Sequence, residues 1–291
     1  MRRRTFLQKT MAATTFFFAS KAVSLNPLDT LSPVLLTILH TNDLHGCSGY
    51  NADGLKRMVE DAKVRNKNVL LFDTGDFMPE NEDSILPVSM VKWMQEMGYS
   101  AITLGKQEMK WPFSVLSQQF DYANIPIVLS NRGSFTPESE SVLKAFEVIE
   151  VGPLKAGVIG IGAEIGENQV QWTEIVEIAN ETTRCLKEDF GCGLIICLSR
   201  LGFCYPGERP SDLELARVSQ HIDLILGGGS HTFMEAPMQY QNAEGRKVWI
   251  SHAGFGGNLL GKLDLRVSRG GYVELVQSSY LPVILPGAPI I

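Results

Sequence analysis

The apolar positions of this chain switch repeatedly between two periods. Val34 to His40 is an unbroken apolar and β-branched run, which suits a strand covered on both faces rather than one with a wet side. After it, Leu55, Met58, Val59 and Ala62 recur at helical spacing with charged residues between them, so a helix is predicted near Leu55 to Asn66. Val69 to Phe72 predicts a second buried strand, and Ile85 to Met97 an amphipathic helix stopped by Gly98. Ala101 to Leu104, Ile127 to Leu129, Lys155 to Ile161, Leu194 to Leu198, Asp223 to Leu226, Lys247 to Ser251 and Gly261 to Val267 read as further strands. Helices are predicted near Pro112 to Tyr122, Thr173 to Phe190 and Leu213 to Gln220. This alternation predicts an α/β fold with buried sheets, whose ligand-binding groups lie just past the strand ends. There is no internal repeat and no low-complexity tract.

The beginning of the chain follows a different pattern. Arg2-Arg-Arg-Thr-Phe-Leu-Gln-Lys9 is basic, Met11 to Ala19 is a short apolar stretch, and Ser20-Lys-Ala22 offers small residues for cleavage. That stretch is too short to span a bilayer. Residues 1–22 therefore read as an export signal of the twin-arginine type, with an ordinary secretory signal or an uncleaved anchor as alternatives. Residues 23–33, with two prolines, read as a linker, and 34–291 as one large domain with a sizeable core. An exported chain in the bacterial periplasm or cell envelope is expected, without a transmembrane span once processed. The formal charge of -6 includes five cations and no acid within residues 1–22, so the processed chain carries -11 and a nucleic-acid polymer is a poor partner. Five cysteines without CxxC spacing signal neither a zinc knuckle nor a full disulfide set.

The chemically loaded residues fall just after the predicted strands. They are Asp43-Leu-His45, Asp76 of Asp73-Thr-Gly-Asp76, Gly105-Lys-Gln-Glu108, Leu198-Ser-Arg200, and Gly228-Gly-Ser-His231-Thr. Each alone is weak, since a strand-end Gly-Asp is often only a turn. In this order they resemble the calcineurin-like metallophosphoesterases, and within them the amino-terminal domain of the 5'-nucleotidase family, over most of the chain after residue 34. The resemblance implies a four-layer α/β/β/α sandwich. It also implies a site of two metal ions, about 3.5–4 Å apart in such enzymes, that activate a water and clamp a phosphate. The carboxy-terminal domain that usually supplies the nucleoside-binding aromatics has no room before Ile291.

By that resemblance Asp43, His45 and His231 serve the first metal and Asp76 bridges both. The positions that would serve only the second metal carry Lys106, Arg200 and Gly229, and the position of the family's catalytic histidine carries Gln107. Lysine and arginine offer donors only, so they repel a cation but suit a phosphate. The expected cofactor is therefore one divalent metal, with Zn, Mn, Fe and Mg not distinguished. Lys106, Gln107, Arg200 and His252 are candidates to bind substrate, and Asp76, Lys106 and Arg200 to act in catalysis. Lys106 and Arg200 have a competing reading as ion-pair partners of Glu108, Asp76 or Glu80. For His252, and for His40 and His221, the competing role is structural. Phe77-Met78 and Phe203-Cys-Tyr-Pro206 are candidates for a pocket lining or, more simply, core.

Two functions follow from this reading. One is a 5'-nucleotidase-like metallophosphoesterase of reduced activity that hydrolyses phosphomonoesters with metal-activated water. The other is a catalytically silent member that binds a phosphorylated small molecule, or a protein partner supplying the missing carboxy-terminal domain. A purely structural envelope subunit would need no site at all.

Overall fold

Apolar runs of five to eight residues are needed when a sheet is covered on both sides, and the computed structural model of the chain uses them in that way. It describes residues 32–47, 49–80, 87–131, 142–162, 164–165, 168–169, 171–207 and 209–283. The expected export signal, the linker up to residue 31 and the first two residues of the predicted second helix lie outside the described residues.

The strands are β1 (Val34–Thr41), β2 (Val69–Asp73), β3 (Ala101–Ile102), β4 (Ile127–Val128), β5 (Leu143–Lys144), β6 (Phe146–Val151) and β7 (Leu154–Ile161). Then come β8 (Glu164–Ile165), β9 (Asn168–Gln169), β10 (Leu194–Ser199), β11 (Leu224–Gly227), β12 (Met238–Gln241), β13 (Lys247–Ser251), β14 (Leu259–Val267) and β15 (Val273–Pro282). The helices are α1 (Gly49–Arg65), α2 (Pro87–Met97), α3 (Phe113–Ala123), α4 (Trp172–Glu188) and α5 (Asp212–Val218).

One sheet runs β15-β14-β1-β2-β3-β4-β5 and the other β12-β13-β11-β10-β7-β6. In each the central strands are parallel, while β14, β15, β6 and β12 pair antiparallel at the edges. Alternate residues of a single run serve two cores, because successive side chains of a strand point to opposite faces. Leu36, Ile38, Leu70 and Phe72 of the first sheet meet Leu194, Ile196, Leu198, Leu224 and Leu226 of the second. Leu39 and Leu71 point the other way, into a core shared with α1, α2 and α3. Ile195, Cys197 and Ile225 likewise back onto α4 and α5. The result is the four-layer α/β/β/α sandwich.

The parallel strands lie within a residue or two of their expected bounds. Helix α1 begins six residues earlier than its apolar stripe suggested, and β5, β6, β8, β9, β12 and β15 were not expected. Phe77 and Met78 are fully buried against the helices of the first sheet, so they are core and not a pocket lining.

Candidate metal centre

The loops that leave β1 and β2 are laced to each other. Asp43 N–H donates to Gly75 O at 3.1 Å, His45 N–H to Asp76 O at 2.9 Å, and Gly46 N–H to Phe77 O at 2.8 Å. Within these loops Asp43, His45 and Asp76 have φ of 51°, 48° and 53°, and His231, past β11, has φ of 50°. Among the described residues Asn124 is the one other non-glycine with positive φ. Left-handed backbone costs a side-chain-bearing residue energy and persists where the surroundings enforce it. That it falls on all four residues expected to hold metal is a signal the sequence did not carry.

Asp43, His45 and His231 present ligand atoms within 4.8 Å of one another. Nε2 of His45 faces Nε2 of His231 at 2.9 Å, and His231 Nε2 is 3.7 Å from Asp43 Oδ1. The imidazoles stand edge to face, and buried His45 Nδ1 has no hydrogen-bond partner, its nearest acid being Glu80 Oε1 at 3.7 Å. Two converging imidazole nitrogens and a carboxylate oxygen are a donor set that fits a divalent cation. Asp43 is buried and oriented by Asn42, whose amide donates to Asp43 Oδ2 at 2.8 Å and to Gly254 O at 2.6 Å. Burial pushes the Asp43 carboxyl up. The Arg200 charge and the donors of Asn42, Arg200 and Gly229 outweigh that push and hold it below the usual carboxylate range. Asn42 gave no warning in the sequence, because a short amide in a loop is too common to single out.

Asp76 stands apart from this triad. Its Oδ1 accepts from Gln107 N–H at 2.8 Å, and its Oδ2 accepts from Arg200 Nη2. Nη1 of Arg200 donates to Asp43 Oδ1 at 2.8 Å and to Gly75 O at 3.2 Å. The guanidinium therefore bridges the two aspartates and is nearly buried, with 8% of its side chain exposed. Among the acids expected as its partners Asp76 is engaged, and Asp43, not foreseen, takes the other nitrogen. Arg200 is accordingly not a free phosphate clamp in this structure. Its slot depends on Gly228, where an added Cβ would lie 2.6 Å from Arg200 Nη1 and 2.5 Å from Thr74 Oγ1.

Glu108 braces the neighbouring loop from beneath. Its carboxylate accepts from the N–H groups of Asp76, Met78 and Gly105 at 2.8, 2.8 and 2.7 Å. Burial, and then the nearby charge of Asp76, push its pKa up to about 7. Lys106 is exposed and forms no hydrogen bond or ion pair with the described residues, so its charge is available at the rim beside Gln107.

His252 does not join the site. Its ring is fully buried below the strand ends, with Nε2 2.7 Å from Asp212 Oδ2, and Ser199 Oγ donates to the other oxygen of the same carboxylate. The chain order Ser–Asp–His places the acid between the other two, so the serine has no base. His40 is also buried, 2.8 Å from Ser251 Oγ, which in turn meets Tyr280 OH at 2.8 Å. His221 lies near Arg246 and Glu244, away from the triad.

Comparisons with known proteins bear on the fold and the sequence as a whole. No family model matches the chain. A 5'-nucleotidase of Vibrio vulnificus is 28% identical over 289 residues, spanning 86% of this chain and 52% of its own length. A snake venom 5'-nucleotidase of Crotalus adamanteus is 26% identical over 298 residues, spanning 86% of this chain and 48% of its own. The chain thus spans about half the length of these relatives. Among solved structures, a 5'-nucleotidase precursor from Thermus thermophilus superposes with a TM-score of 0.73 at 23% identity, over 86% of this chain and 54% of that one. The calcineurin-like phosphoesterase YfkN from Bacillus subtilis gives 0.65 at 23%, covering 86% of this chain and 91% of that one. The structural likeness is one of fold. Together with the sequence likeness it places the four-layer sandwich beside those of known phosphoesterases. The likeness in sequence to 5'-nucleotidases and in fold to their amino-terminal domains supports the calcineurin-like metallophosphoesterase family.

Proposed function

We propose that this chain is a 5'-nucleotidase-like phosphomonoesterase that works with a single divalent cation held by Asp43, His45 and His231. The observation that carries this reading is the convergence of those three side chains on left-handed backbone, with Arg200 lodged between Asp43 and Asp76. A dication about 4 Å from a guanidinium is repelled by roughly 8 kcal/mol at an effective dielectric near 20, so the arginine opposes a second ion nearby. Imidazole nitrogen favours Zn or Fe over Mg.

When bound, such a cation lowers the pKa of a water and polarises the phosphoryl oxygen. The chain's own residues do the rest. Lys106, exposed at the rim, draws in the phosphate dianion, and Arg200 supplies a fixed positive charge behind it. Asp76 orients Arg200, and Glu108 fixes the Asp76 loop through three backbone N–H groups. Gln107 donates hydrogen bonds but cannot give up a proton as an acid, so esters whose leaving group departs as a weakly basic anion are favoured. The basic, then apolar, beginning of the chain supports an exported protein; among the described residues no helix is long and apolar enough to cross a membrane.

The test is phosphate release from aryl phosphates and nucleoside monophosphates by the metal-loaded protein, beside Asp43→Asn and with the metal content measured. Release that needs Asp43, at one metal per chain, is expected. The pairing of Arg200 with both aspartates favours a second reading, a phosphate-binding member without turnover. One metal bound with no release above the Asp43→Asn control would select it.

A further inference from the structure

An exposed aromatic ring stands directly against the candidate metal centre. Phe255 stacks on the imidazole of His231, with ring centroids 5.0 Å apart and planes 23° from parallel. Half of the residue remains exposed, so one face of the ring covers the histidine and the other faces solvent. The loop that carries it is firmly braced. Gly256 N–H donates to the carbonyl of Asp43 at 2.7 Å, and Gly254 N–H to Thr232 O at 3.0 Å. Asn258 Nδ2 donates to Phe255 O, and Asn51 Nδ2 to Gly256 O, each at 3.0 Å. The ring is thus tied, one residue away, to the backbone of Asp43 in the metal triad.

We infer that the open face of Phe255 is a stacking platform for a planar organic group of the ester, a nucleobase or an aryl ring, which makes Phe255 a specificity-determining residue. The inference rests on the phosphomonoesterase reading above and adds the substrate class to it. A phosphate seated at the triad leaves its organic substituent beside this ring. A rigid aromatic surface accepts any flat π-system without rotamer cost and discriminates little among them. Phe233, somewhat more exposed at 59%, leans instead on Tyr280 and serves as an internal control.

Phosphonates separate this inference from the reading beneath it, because they share the dianionic head group and have no leaving group. Phenylphosphonate and methylphosphonate would be titrated calorimetrically into the manganese-loaded full chain, with metal content measured for every variant. Wild type should bind the phenyl compound more tightly, and Phe255→Leu should lose roughly tenfold for it while methylphosphonate is unchanged, which is what stacking on an aromatic side chain is worth. Phe255→Tyr and Phe233→Leu should keep the preference. Equal weakening of both ligands in Phe255→Leu, with or without metal loss, would reduce Phe255 to a cover for His231 and overturn the inference. The absence of a phenyl preference in wild type would overturn it too. Methylphosphonate failing to bind wild type would remove the phosphate site itself, and the inference with it.

Discussion

His40 is a histidine whose environment forbids charge. It is fully buried between the two sheets, and burial, aided by the nearby His252, drives its pKa down to about 3. An unfolded chain binds that proton near pH 6.5, so below 6.5 the unfolded state takes up a proton the folded state refuses. The stability that neutral His40 contributes is therefore complete above pH 6.5 and is lost as the pH falls toward 3. Asp73, Glu108 and Asp223 have raised values through burial and pull in the other direction, so the total pH profile mixes both signs. Comparison with His40→Gln isolates the histidine. Between about pH 7 and about pH 5.5, linkage makes wild type lose about 1 kcal/mol more than the variant in urea unfolding. Parallel profiles for the two proteins would show that folded His40 takes up the proton as readily as the unfolded chain does.

At the scale of elements, what the sequence revealed depended on burial. Strands covered on both faces, such as β1, β2, β10 and β11, announce themselves as continuous apolar runs. Edge strands do not: β6 is mostly half-buried, β15 mixes half-buried with exposed positions, both carry polar residues such as Glu147, Glu150, Glu274 and Ser279, and β12 is mostly exposed. The site divides in a similar way. Ligand types and their place after strands are legible from Asp43, His45 and His231, whereas the left-handed backbone beneath them and the reach of Arg200 to Asp43 are properties of packed loops. So is the close approach of the two sheets at Gly160 of β7, where an added Cβ would lie 2.0 Å from the carbonyl oxygen of Val128 in β4. Backbone cannot yield as a flexible side chain does, so Gly160→Ala should destabilise the fold by about 1–3 kcal/mol, the range for forcing extra volume into a packed interior. Gly270→Ala, whose nearest neighbour would be Ser268 Oγ at 3.8 Å, is the control expected to unfold at nearly the wild-type denaturant concentration. Equal midpoints for the two variants would mean the sheets separate easily there.

Across the whole molecule, the strand ends gather Asp43, Asp73, Asp76 and Glu108 in buried positions, and Arg200 is the buried cation that faces them. Removing one member of such a cluster leaves buried charge unmatched, which costs about 3–5 kcal/mol. Arg200→Ala should therefore melt well below wild type when metal is chelated away. A cation that binds only the folded state adds about 2.7 kcal/mol of stability at a hundredfold excess over its dissociation constant. In wild type that gain is opposed by the guanidinium, and in Arg200→Ala it is not. Added manganese should then raise the melting temperature of Arg200→Ala by more than it raises that of wild type, narrowing the gap between them. Calorimetric melting of both proteins in chelator and in manganese measures the two increments directly. Equal increments would show that metal and arginine do not compete for the same negative field. A smaller increment in Arg200→Ala would show that the arginine helps to build the ion's site instead of standing in for a second ion.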